Sequence, residues 1–190
     1  MTSPRRPRAD AVRNRKKILE AARELIDAHG PGIGMDEIAA AAGVAVGTLY
    51  RHFPAKTDLV AAVVADWLNR VADDAEAAAA RTAAGSRALD EIAAFLGRLL
   101  ETVAGDLAVK AAARAIGADT STDADTAIKR TATALTALVR AGQAEGDVHP
   151  DVTLADFRLL LDNAPTDRTP QAGARWLTLV LPGLTTHGRP

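Results

Sequence analysis

The chain has 190 residues, 48% of them hydrophobic and 25% charged, with no cysteine and a formal net charge of −1. That composition supports a sizeable core, argues against wholesale disorder, and excludes disulfides, thiolate metal sites and cysteine nucleophiles. No apolar run approaches the roughly 18 residues of a membrane span, and the Arg/Pro-rich stretch 1–9 lacks the apolar segment of a secretory signal, so a soluble cytoplasmic protein is expected.

Alanine and leucine are abundant and apolar residues recur at three- and four-residue steps, so almost every segment reads as helix. The first helix is predicted over 10–28, with Ile18, Ala22, Leu25 and Ile26 on one face, and His29-Gly30-Pro31-Gly32 stops it. Charge is concentrated at this end. Through Lys56 ten Lys/Arg meet six Asp/Glu, an excess of four, whereas the remainder has thirteen against eighteen, a deficit of five. The excess sits in Arg5, Arg6, Arg8, Arg13, Arg15, Lys16 and Lys17, which suits a polyanion, and equally suits a solubilising tail.

A short helix follows at about 35–42, with Met35, Ile38, Ala39 and Ala42 as its stripe and Asp36 and Glu37 in the first turn, where the helix dipole favours them. Gly43 ends it, and a third helix runs over about 46–53 to Pro54. Small Ala39 lets the two helices approach, Gly43 supplies the left-handed backbone of a tight turn, and Val44 plugs the angle between them. Val46, Leu49, Tyr50 and Phe53 fall at i, i+3, i+4 and i+7 and form the predicted core face. Gly47, Thr48, Arg51 and His52 lie opposite, offering close approach, a hydroxyl, a guanidinium and an imidazole, groups suited to base edges and phosphates. Lys56 stands near the adjoining backbone. Helix, glycine turn and helix at 34–53 is therefore a candidate helix-turn-helix, although a plain helical hairpin carries the same pattern.

A fourth helix is predicted from Lys56 to about 82 under Leu59, Val63, Val64, Trp67, Leu68 and Val71. Ser86 can cap a fifth with Leu89, Ile92, Ala93, Leu96, Leu99, Leu100 and Val103 on one face. Further helices are expected at about 106–116 and 124–145, separated by a polar loop at 118–123. Thr153 with Asp156 matches a capping box opening a helix to about 163, and Thr169-Pro170 opens a last one ending at Pro182-Gly183. The fold class is all-α, with a domain boundary near residue 71.

Competing chemistries find little support. Gly30–Gly34 follows a helix rather than a strand and has no Gly-Lys-Ser/Thr after it, against a phosphate loop. His29, His52, His149 and His187 are scattered, against a metal site, and Ser3, Ser86 and Ser121 sit in no nucleophile elbow, against an enzyme. No cofactor is expected.

Residues 36–60, DEIAAAAGVAVGTLYRHFPAKTDLV, closely resemble the signature of TetR-family bacterial regulators, and RKKILEAARELIDAHG at 15–30 resembles that family's opening helix. The resemblance covers about 12–71 and implies a three-helix DNA-binding domain, motif 34–53, whose third helix enters the major groove. By position it would set Val44, Val46, Gly47 and Thr48 nearest the bases and Tyr50, His52 and Lys56 on phosphates, with Arg51 suited to either. The basic tail resembles arms that reach a neighbouring groove. Gly34 stands where the family usually has a capping threonine and Ala45 where serine is frequent, so two hydroxyl contacts are missing and affinity should lean on Lys56 and the arginines.

For 72–190 the resemblance implies a ligand-binding and dimerisation domain, with a pocket between bundle helices and a seam built from the last two helices. Leu154, Leu161, Trp176, Leu177, Val180, Leu181 and Leu184 are candidates for that seam. Trp67, Phe95, Arg98, Arg114, Phe157 and Arg158 are candidates for the pocket, and with only 3% aromatic residues an aliphatic or small polar effector fits better than a flat polycyclic cation. The whole implies a homodimeric repressor that releases a palindromic duplex operator on binding a small-molecule effector. The alternative is a helical small-molecule-binding or partner-interaction protein without operator binding.

Overall fold

The computed structural model describes the backbone of residues 6–30, 32–115, 122–165 and 169–188, and the side chains of these except 6–8, 102–115, 122 and 170. Among the described residues eight helices run in chain order: α1 Arg6–His29, α2 Met35–Ala41, α3 Val46–His52, α4 Lys56–Ala83, α5 Ala88–Ala115, α6 Thr122–Glu145, α7 Leu154–Asp162 and α8 Pro170–Val180, followed by a 3-10 turn Leu181–Leu184. The described residues fall into two compact units, one within 1–67 and 105–124, the other within 68–104 and 125–190. The first boundary of this division lies inside α4.

In the first unit α1, α2 and α3 pack on one another. Ile18, Ala22 and Ile26 of α1, Ile38 and Ala39 of α2 and Leu49 of α3 are at most 1% exposed, joined by Phe53, Leu59, Val60 and Val63. Gly30 and Gly43 adopt left-handed φ of 78° and 64°, which closes α1 and turns the chain between α2 and α3 without the penalty a Cβ would bring. The Val44 amide donates to the Ala39 carbonyl at 3.0 Å, and Ala39 is wholly buried.

The second unit is built on alanine. Ala72, Ala75 and Ala78 of α4 are fully buried, and opposite them Ile92, Phe95 and Leu96 of α5 and Ala127 and Leu138 of α6 complete the core. Among the described residues, ion pairs tie the helices at the rim. Arg130 of α6 donates to Asp73 (2.5 Å), to both Glu76 oxygens (2.9 and 2.6 Å) and to Asn69 (3.2 Å), all on α4. Arg98 of α5 grips Asp74 at 2.9 Å, and Arg81 grips Glu91 at 2.8 Å. Hydrogen bonds from Arg130 and Arg81 hold the Glu76 and Glu91 carboxyls below the usual carboxylate range.

Where two helices were expected between 86 and 116, α5 is continuous. Gly105 costs a helix only about 1 kcal/mol, and no proline reinforces a break. The helix start also differs from expectation. Asp90 and Glu91 amides both donate to the Arg87 carbonyl, the Glu145 carboxylate accepts the Ala88 amide at 2.9 Å, and the Ser86 hydroxyl pairs instead with the Glu91 carboxylate. The loop expected at 118–123 lies largely outside the described residues.

Local signals at the C-terminal helices hold. The Asp156 carboxylate accepts from the Thr153 amide and hydroxyl, each at 2.8 Å, and the Thr169 hydroxyl accepts the Ala172 amide at 3.3 Å ahead of Pro170. Residues 184–186 are strapped to the α6–α7 turn. The His149 amide donates to Leu184 at 2.9 Å, Val148 bridges Thr185, and the Thr186 amide donates to Asp147 at 3.1 Å. Asp147 in turn holds Arg87 at 2.6 Å.

This strap fixes Val148 against Gly142 of α6. A Cβ at Gly142 would stand 2.5 Å from Val148 Cγ2 and 3.2 Å from its Cβ. Alanine favours a helix by about 1 kcal/mol over glycine, but displacing a buried β-branched side chain pinned by its own backbone costs about 1–3 kcal/mol. Gly142→Ala is therefore expected to lower the denaturation midpoint, and a variant as stable as its parent refutes the clash.

Candidate nucleic-acid interface

Helix α3 has only seven residues, too few to hold itself in water, so its position comes from packing. Leu49 and Phe53, 0% and 3% exposed, anchor it, and the Arg15 guanidinium of α1 lies 5.4 Å from the Phe53 ring centroid. Val46 and Tyr50, assigned by periodicity to the core face, are 40% and 45% exposed. The physical reason is length: a seven-residue helix crossing its support at Leu49 and Phe53 carries its first turn and outer flank beyond it. That correction joins Val46 and Tyr50 to the open surface.

Gly47 and Arg51 are exposed and Thr48 and His52 half-buried, so α3 turns a continuous face of Val46, Gly47, Thr48, Tyr50 and Arg51 away from the core. Arg51 lies along that face, donating from Nε to the Gly47 carbonyl at 3.1 Å and from Nη2 to Thr48 Oγ1 at 3.3 Å. Arg51 and His52 also occupy the last turn, where the helix dipole favours positive charge. Val44 is half-buried beside Gly43. Gly34 and Ala45 are the N-caps of α2 and α3 and neither offers a side-chain cap, as their identities dictate. Lys56 is half-buried, with Nζ donating to the Ile33 carbonyl of the α1–α2 connection, a contact between residues 23 positions apart that no local pattern encodes. Arg5 and the side chains of Arg6 and Arg8 lie outside the described residues.

The remaining candidates divide. Phe95 and Phe157 are 1% and 2% exposed in the second unit, Trp67 is 7% exposed in the first, Arg98 is bound to Asp74, and Arg158 is exposed and 3.6 Å from Asp162. The side chain of Arg114 lies outside the described residues. Two clefts of about 470 and 400 Å³ run between α4 and α6, lined by Ala79, Ala137 and their neighbours, and none of the pocket candidates lines them. Of the seam candidates Leu184 is buried, while Leu154, Leu161, Trp176, Leu177, Val180 and Leu181 are half-buried. Leu159 and Leu179, not singled out from sequence, are 62% and 61% exposed.

Residues 18–63 match the model of bacterial regulatory proteins of the tetR family, and residues 86–186 match that of the SbtR-like transcriptional regulator C-terminal domain. A crystal structure of a TetR transcription regulatory protein from Mycobacterium vanbaalenii is 34% identical, covering 94% of this chain and 99% of its own, with a TM-score of 0.76. A TetR regulator from Streptomyces coelicolor is 30% identical, covering 90% and 98%, with a TM-score of 0.70. A helix-turn-helix-type transcriptional regulator of Staphylococcus aureus is 46% identical over 63 residues, a match spanning 33% of this chain and 34% of that protein. With two model matches covering the helix-turn-helix segment and most of the rest, and two solved relatives matched nearly end to end, the chain belongs to the TetR family of bacterial transcriptional regulators.

Proposed function

We propose that the chain is a homodimeric repressor that grips a two-fold symmetric duplex operator with two copies of α3 and lets go when a small-molecule effector binds. One observation carries the DNA half of this reading: Val46, Gly47, Tyr50 and Arg51, with half-buried Thr48 among them, form an exposed surface on a helix fixed by Leu49 and Phe53. Two such helices in a dimer suit successive major grooves, about 34–36 Å apart. Family membership supports the effector, and release requires it to bind better to a conformer whose α3 helices are mis-spaced. The scarcity of aromatic residues favours an aliphatic or small polar compound. Affinity selection of the purified protein against random duplexes tests the reading, and failure to enrich any sequence at low salt overturns it.

Lys56 sharpens the test. An ammonium carries three N–H donors, so it can serve the Ile33 carbonyl and a phosphate together. Lys56→Ala should weaken all duplexes by a similar factor and reduce the slope of log affinity against log salt by about 0.9. A loss confined to particular sequences, with the salt slope unchanged, contradicts a phosphate contact.

A further inference from the structure

We propose that Arg51 reads a guanine in the operator and that Thr48 is the residue that positions it. This rests on α3 being the base-facing helix and assigns a chemistry to two of its residues.

A helical side chain leans back toward the N-terminus, and Arg51 does so, lying over the turn that begins at Gly47. The donors it spends there are Nε, on the Gly47 carbonyl at 3.1 Å, and one Nη2 hydrogen, on Thr48 Oγ1 at 3.3 Å. These two form one edge of the planar guanidinium. The end edge, one N–H from each terminal nitrogen, has no partner among the described residues, and Arg51 is exposed. Two parallel donors in a fixed plane match two acceptors side by side, which guanine presents in the major groove as O6 and N7.

A phosphate also offers paired oxygens, and the tether decides between the two. An arginine reaching for the backbone needs its stem extended sideways from the helix flank. Arg51 is instead held along α3 over Gly47 and beside Thr48, the stretch of the helix with nothing standing in front of it; even a Cβ added at Gly47 meets no atom within 4 Å. The fork is therefore presented at the centre of the face that approaches the groove floor. Thr48 spends a lone pair holding it, and its own hydrogen stays available as a donor. Lysine at 51 keeps the charge but offers no planar fork.

The test is affinity selection with the full-length protein, followed by competition between the best duplex and copies changed at single symmetric positions. The parent should prefer G·C at one position of each half-site by about ten- to a hundredfold. Arg51→Lys and Arg51→Ala should lose that preference, Thr48→Val should reduce it several-fold, and Thr48→Ser should restore it. In an Arg51→Lys background Thr48→Val should change nothing further at that position, because the two residues act as one unit. If Arg51→Lys weakens every duplex alike, Arg51 is a phosphate contact and the proposal is wrong. If Thr48→Val leaves the guanine preference intact, Thr48 does not position Arg51. If the parent selects no duplex at all, the failure lies with α3 as a DNA-facing helix.

Discussion

Leu49→Ala is expected to cost about 2–5 kcal/mol and to abolish duplex binding, whereas Gly47→Ala, two residues away, should leave the fold intact and still impair binding. Leu49 is fully buried and is one of two side chains that fasten a seven-residue helix to its neighbours. Removing it leaves a cavity beneath α3, and so short a helix has no stability of its own to fall back on. Gly47 is the opposite case. It sits in regular helix, unlike Gly43 with its φ of 64°, and an added Cβ there meets nothing within 4 Å. Alanine should therefore raise stability by up to about 1 kcal/mol through helix propensity. If α3 presses its Gly47 face against DNA, the same methyl intrudes on a close contact and costs about 1–3 kcal/mol of binding. Thermal melting and duplex titration of the two variants separate the effects. A Gly47→Ala protein that binds as tightly as its parent removes the need for glycine at this position and with it the close approach.

Much of this was readable because the determinants are local. Gly43 between two short amphipathic helices, Thr153 with Asp156, and Thr169 before Pro170 each specify a turn or a helix start within four residues. Burial of Leu49 and exposure of Gly47 and Arg51 follow from helical period alone. The same period placed Val46 and Tyr50 inside, because it gives a direction around the helix and says nothing about where the supporting surface ends. The Arg51–Thr48 bond spans three residues and was in reach of the i, i+3 rule. Lys56 on Ile33, Arg130 on Asp73 and Glu76, and Glu145 on the Ala88 amide link residues 23 to 57 positions apart and depend on tertiary packing. Arginine and glutamate are so common on helix surfaces that no sequence pattern singles out those pairs.

The second large effect is expected at Leu179. On α8, Leu177 comes within 4.0 Å of where a Cβ on Gly97 of α5 would stand, and a Cβ at Gly173 would lie 3.6 Å from Leu100, so this side of α8 packs inside its own unit. Successive helical residues turn by about 100°, which points Ala172 and Leu179 away from that side and sets Trp176 on the flank between. Trp176 is half-buried and Leu179 is 61% exposed; on α7 Leu159 is 62% exposed while Phe157 is buried. The seam proposed for the dimer is thus better served by Trp176, Leu179 and Leu159 than by Leu177 or Leu184, which look inward. Across a two-fold axis a glutamate at 179 brings carboxylates into a desolvated apolar contact, whose cost is several kcal/mol per uncompensated charge. Leu179→Glu should sediment as a monomer, keep its helical spectrum, and lose about 10²- to 10⁴-fold in affinity for a two-half-site duplex, since each α3 then binds alone. Leu177→Glu should behave differently, lowering the melting temperature of the second unit because its half-buried carboxylate faces α5 near Gly97. A Leu179→Glu protein that remains dimeric at micromolar concentration moves the seam to another face.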